Sequence, residues 1–182
     1  MLSVRSRLRA AILSWENRQS RTRPTLRQSA LEARHQPTGF VTFWGAPGVG
    51  KSHLLKGLVN FFRVGGVYAR YALAADLLAE IRQHYSQPDP AATARTALQG
   101  YHNVRVLCLD ELDTIRLTAW SREIIFHLLD GRFNQRSLLL TALALRSAPD
   151  ELPSEWDYLQ SRLRGGTLVA VGGLDMRLVL KK

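Results

Sequence analysis

The chain is expected to fold as an α/β three-layer sandwich around a parallel sheet of five strands. Three observations predict this. Apolar, strand-like runs alternate with segments whose apolar residues recur at helical spacing. The first such run, 40–44, passes directly into Gly45-Ala46-Pro47-Gly48-Val49-Gly50-Lys51-Ser52, and a helical stretch follows at once. A later run, 104–109, ends in the acidic pair Asp110-Glu111. Strands separated by helices must be joined by crossovers, so they run parallel and the sheet is covered on both faces.

The elements follow in order. Residues 1–36 carry eight arginines (Arg5, Arg7, Arg9, Arg18, Arg21, Arg23, Arg27 and Arg34) against Glu16 and Glu32. Leu8, Ala11, Ile12 and Trp15 have helical spacing, a break falls near Pro24, and a second helical stretch spans about 26–35. This segment reads as a basic helical arm, and 37–182 as the main domain. There the first strand is 40–44. The first helix, 51–63, carries Leu54, Leu55, Leu58, Val59 and Phe62 on one face and is closed by Gly65-Gly66. A second strand at 67–71 leads to a helix at 74–85, a Pro-rich loop at 86–90 and a short helix at 91–100. The third strand is 104–109. A helix at 119–134 precedes a fourth strand, expected at 137–141. Loop 143–154 holds Pro149 and Pro153, a helix covers 155–164, and the fifth strand is 167–171.

Composition narrows the function classes. At 182 residues, 46% of them hydrophobic, one domain with a short appendage can bury a core. No apolar run approaches the roughly 20 residues needed to cross a bilayer. No secretory signal is expected either, because the early arginines lack an adjacent long apolar stretch. The lone Cys108 has no partner for an internal disulfide. Together these point to the cytoplasm and to no membrane. The formal charge of +10 calls for an acidic partner, nucleic acid first. It is carried almost wholly by arginine, since lysine occurs only at 51, 56, 181 and 182.

The chemistry sits in two places. Strand, glycine loop and Lys-Ser opening a helix form the context of a phosphate-binding loop. The glycines turn successive N–H groups inward, and the helix adds the positive end of its dipole. Lys51 then reaches the terminal phosphates and Ser52 sits on Mg²⁺. In a parallel sheet, ligands bind beyond the carboxyl ends of the strands, so Asp110 lies beside the loop and holds the metal, with Glu111 as general base for a water. An acidic pair argues for hydrolysis of ATP rather than transfer to a small acceptor. The chain has no Asn-Lys-x-Asp stretch of the kind that reads guanine. Thr141, at the expected end of the fourth strand, is a candidate sensor of the terminal phosphate. Arg162 and Arg164, closing the last helix, are candidates for an arginine finger given to a neighbouring subunit; the same residues also suit a helix C-terminus.

Assembled, these residues resemble the AAA+ ATPases of the DnaC/DnaI helicase-loader and IstB transposition-helper group. The resemblance covers about 31–175. It rests on GAPGVGKSHLL, YALAADLLAEIRQHY, VRVLCLDELD, WSREIIFHLLDGRFNQRSLLLT and SRLRGG. It implies that Gly45, Ala46, Pro47, Gly48, Val49, Gly50, Lys51, Ser52 and His53 bind the nucleotide, that Ser52 and Asp110 hold Mg²⁺, and that Lys51, Glu111, Thr141 and Arg162 are catalytic. It further implies strand order 5-1-4-3-2 and ATP hydrolysis completed by an adjacent subunit, hence a homo-oligomer. The implied partners are single-stranded DNA and a replicative helicase or a transposase, with the 74–100 region, and His84 and Tyr85 in particular, facing the DNA. Two rivals stand beside this: a nucleotide-gated DNA-binding module with little turnover, and a stand-alone phosphotransferase. The chain departs from the family pattern in reading Thr141-Ala142-Leu143 where the group usually has Asn. No or only a minimal lid domain is expected after the fifth strand, which leaves Arg177 a poor stand-in for the lid arginine. The arm is short for a full helicase-binding domain.

Overall fold

A computed structural model describes residues 37–85, 90–173 and 175. The basic arm and Arg177 lie outside them. Five strands form one parallel sheet: β1 (Gly39–Trp44), β2 (Ala69–Leu73), β3 (Val106–Asp110), β4 (Leu140–Leu145) and β5 (Thr167–Ala170), in the order β2-β3-β4-β1-β5. This is the expected order, read from the other edge. The crossovers are α1 (Lys51–Val64), α2 (Ala74–His84) with α3 (Pro90–Asn103), α4 (Ala119–Asn134) and α5 (Asp157–Gly165).

Alternation along the strands sorts the side chains between two layers. Val41, Phe43, Val106, Cys108, Leu140, Ala142 and Ala144 pack with Leu54, Leu55, Leu58, Val59 and Phe62, the apolar stripe of α1. The opposite face, with Phe40, Leu107, Leu109, Leu143 and Leu145, receives Leu77 and Ile81 of α2, Tyr101 of α3, Ile125, Leu128 and Leu129 of α4, and Leu159 and Leu163 of α5. Burying one such side chain is worth about 1.5–3 kcal/mol. The helix ends follow local chemistry. At the start of α4, Ser121 N donates to Thr118 Oγ1 (3.2 Å) and Thr118 N to Ser121 Oγ (2.8 Å), a reciprocal cap. Among the described residues, no helix is long and apolar enough to cross a membrane.

Two strands differ from expectation. The second begins at Ala69 rather than 67, because Val67 N donates to Phe62 O and is spent closing α1. The fourth runs Leu140–Leu145 rather than 137–141. Leu138 and Leu139 both donate their N–H groups to Gln135 O, so this stretch is a turn, and Leu138 is exposed. The strand then continues through Ala142-Leu143-Ala144-Leu145, all buried.

Candidate nucleotide site

The loop between β1 and α1 opens at the carboxyl edge of the sheet. Gly45 N donates to Leu145 O (3.3 Å), and a side chain on Gly45 would strike the carbonyl of Val171. Thus the loop is held between the ends of β4 and β5. Gly48 and Gly50 have φ of 81° and 102°. Both lie in the left-handed region, which glycine enters without penalty. Gly50 caps α1 with no side-chain hydrogen bond, so the helix N-terminus is not covered by a capping side chain. Lys51 Nζ donates to the carbonyls of Gly45 and Ala46, which curls the amine back over the loop. Ser52 and His53 are exposed in the first turn of α1. The carboxylate of Asp175 lies against Gly48, where a methyl group would collide with it.

Asp110 ends β3 on the same sheet face as α1, at 2% exposure. The register pairs Leu109 with Leu143 and Phe43 with Ala144, so Asp110 stands level with the end of β1, one strand removed. Two strand spacings amount to about 10 Å. The structure therefore brings the loop and the acidic pair to one edge and one face. Asp110 Oδ1 accepts from Glu111 N (2.9 Å) and Oδ2 from Tyr71 Oη (2.8 Å). Burial, with the charges of Asp110 and Glu111, raises the Tyr71 pKa far above its ordinary value, so the phenol stays a donor. Glu111 is the one non-glycine residue with positive φ among those described, at 53°. Its carbonyl is held by Thr114 N (3.2 Å) and Oγ1 (2.9 Å). Such a conformation costs on the order of 1–3 kcal/mol and gathers at functional sites. Asp113 Oδ2 accepts from Arg146 N (2.7 Å) and Ser147 N (3.4 Å), so it ties the acidic turn to the residues that follow β4.

Thr141 is not at this site. It is the second residue of β4, fully buried on the face away from α1, and its Oγ1 accepts from Arg132 Nε (2.8 Å). The end of β4 beside the loop is Leu145-Arg146-Ser147. Arg162 also stands apart from its own chain's loop. It lies on α5, which packs on the opposite face and descends to the amino edge, where Gly166 sits against the Phe40 carbonyl. There Arg162 pairs with Asp130 of α4 (Nε 2.8 Å, Nη2 2.7 Å) and stacks on Phe126. Arg164 pairs with Asp150. Of the residues expected near DNA, Tyr85 is half exposed and meets Trp120 edge-on, while Arg82 lies over the same indole ring.

The sequence reading does not single out Tyr71, Arg132 or Asp175. Tyr71 carried a signal, since it falls in the strand expected beside the third. Arg132 carried none, because an arginine in the last turn of a helix ordinarily faces solvent.

The sequence profile of the IstB-like ATP binding proteins matches residues 23–147. The chain belongs to that family. Searching curated protein sequences gives no match. Among solved structures, a DNA replication initiation factor aligns at 25% identity and TM-score 0.66, covering 79% of this chain and 43% of that one. DnaA from Aquifex aeolicus bound to AMPPCP aligns at 24% and 0.68, covering 84% and 47%. The DnaC helicase loader aligns at 21% and 0.63, covering 85% and 94%. The chain thus spans less than half the length of the first two. The fold is the AAA+ type of P-loop sandwich, and the domain is an ATP-binding one of the IstB/DnaC kind.

The residues present suit a nucleotide with Mg²⁺. A left-handed glycine loop on an uncapped helix receives phosphate, and the Ser52 hydroxyl and Asp110 carboxylate are the hard oxygen donors that Mg²⁺ prefers alongside phosphate oxygens and water.

Proposed function

We propose that this chain is an ATP-hydrolysing accessory of DNA replication, similar to a helicase loader, that acts on single-stranded DNA and hands it to a larger machine. The observation that carries the reading is the meeting of the glycine loop with Asp110 and Glu111 at one edge and one face of the sheet. In this reading the loop N–H groups and Lys51 bind the phosphates, Ser52 and Asp110 hold Mg²⁺, and bound Mg²⁺ neutralises charge building on the phosphate oxygens. Glu111 takes the proton of the attacking water. Its left-handed backbone ends the buried path of β3, and the residue is exposed.

The basic composition and the cluster of Arg82, Tyr85 and Trp120 at the end of α2 support DNA as a partner: guanidinium groups meet phosphates, and aromatic rings stack on bases. A transposase in place of the helicase is favoured by the family match itself, which is to IstB-like proteins. The same geometry without turnover gives a nucleotide-gated binding module. Phosphate release, measured with and without single-stranded DNA, tests the proposal. Glu111→Gln is expected to bind ATP as well as the wild type and to lose about 10²–10⁴-fold in turnover. A wild type that binds nucleotide and DNA but releases no phosphate would overturn the enzyme reading and leave the gated module.

A further inference from the structure

We propose that Tyr71 is a positioning residue for the metal-holding carboxylate, and that its phenol sets how tightly this chain couples Mg²⁺ to nucleotide. The inference rests on the nucleotide-site reading above and extends it to a side chain outside the motifs. Tyr71 lies on β2, the strand flanking β3 on the side away from the loop. Its hydroxyl donates to Asp110 Oδ2 at 2.8 Å, while the backbone N–H of Glu111 donates to Oδ1 at 2.9 Å. Two donors on two oxygens fix the carboxylate plane. One donor comes from the outer edge of the sheet, which takes up a lone pair on that side. The lone pairs toward β4 and β1, where the phosphate loop lies, are left to face an ion or its water.

Asp110 is nearly fully buried, and without the phenol its Oδ2 would have lost hydration with no donor in exchange. The carboxylate would then rotate toward whichever donor was nearest. The ring of Tyr71 is itself held. It packs at the margin of the α1 layer, and the Lys56 ammonium of α1 stands 5.2 Å from its centre. The loop helix and the acidic strand are thus joined through one phenol.

Hydrogen-bonding partners of metal-holding groups typically change metal affinity or activity by about 10–100-fold when removed. Tyr71→Phe keeps the ring, its packing and the Lys56 contact, and deletes only the donor. The test is a fluorescent ATP analogue bound to the full chain, titrated with Mg²⁺ and separately in excess chelator. Thermal melts of both proteins without ligand serve as the control for folding. The variant is expected to melt near the wild type, to bind the analogue equally in chelator, and to need about tenfold more Mg²⁺ to reach the tight state. Equal Mg²⁺ requirements, or an equal loss of affinity with and without Mg²⁺, would overturn the proposal. If Mg²⁺ tightens analogue binding by the wild type, those outcomes count against Tyr71 alone. If the wild type binds no analogue in either condition, the nucleotide-site reading fails and this inference with it.

Discussion

Among the described residues, Arg132 is the largest side chain with no solvent exposure, and the acceptors it meets there are all neutral oxygens. Its guanidinium donates to the carbonyls of Tyr101, His102 and Val104 at the end of α3, to Leu140 O at the start of β4, and to Thr141 Oγ1. Burial pushes its pKa down to about 10, which leaves it charged at neutral pH. The carbonyls at a helix C-terminus supply the compensating partial charge. Thr141 therefore satisfies a buried donor, and the sequence could not reveal this, because the partner sits on another element and faces inward against the usual habit of arginine. Thr141→Val keeps the shape and removes the acceptor. It is expected to lower stability by about 1–3 kcal/mol, read from urea unfolding, with ATP affinity unchanged. A variant of native stability that had lost phosphate release would return Thr141 to the catalytic machinery.

At the scale of elements, most of what the sequence made legible was local. The loop, the acidic pair and the helix at 119–134 stand where periodicity and motif put them, because each is specified by its own neighbours. The second and fourth strands were displaced for a common reason. Val67, Leu138 and Leu139 look like strand, but their N–H groups are used in closing the helices before them, whereas the alanines of β4 look like loop. In a central strand covered on both sides, small residues let helix and sheet approach, and no window of sequence contains that information. The attachment of α2 and α3 to the sheet was equally invisible. Arg70 of β2 donates to both oxygens of Glu80 on α2 (3.0 and 2.7 Å) and lies over the ring of Tyr101 on α3, whose hydroxyl also donates to Glu80. Burial alone would raise the Glu80 pKa, but the Tyr101 and Arg70 hydrogen bonds and the arginine charge outweigh it and hold it below the ordinary value. A depressed carboxylate pKa stabilises the fold above the unfolded value, about 4.3. That contribution is lost as pH falls through the folded value. The pair is partly exposed, so the loss amounts to about 1 kcal/mol or less. Glu80→Gln should be less stable than the wild type at neutral pH, and the gap should close in acid. A gap that stayed constant from neutral pH down to about pH 3 would mean that the charge on Glu80 is not what holds α2.

At the scale of the molecule, Arg162 decides whether the chain works alone. It stands on the face of the sheet opposite α1 and toward the opposite edge from the loop, so it cannot reach the phosphates its own chain binds. If it serves catalysis, it serves a neighbour, and its pairing with Asp130 then keeps the guanidinium ordered until that neighbour arrives. This reading makes a quantitative demand on mixtures. Arg162→Ala would have an intact loop and no finger; Lys51→Ala would have an intact finger and a loop unable to hold phosphate. Each alone is expected to lose about 10³-fold in phosphate release, the lower range for removal of such an arginine. When equal amounts are combined in a head-to-tail assembly, half the subunits keep a working loop and half of those meet a working arginine. Activity should therefore recover to about a quarter of the wild-type value. Specific activity of the wild type should also rise with protein concentration. A mixture no more active than the sum of its parts, with wild-type activity independent of concentration, would make Arg162 a residue that pins α5 to α4 and nothing more.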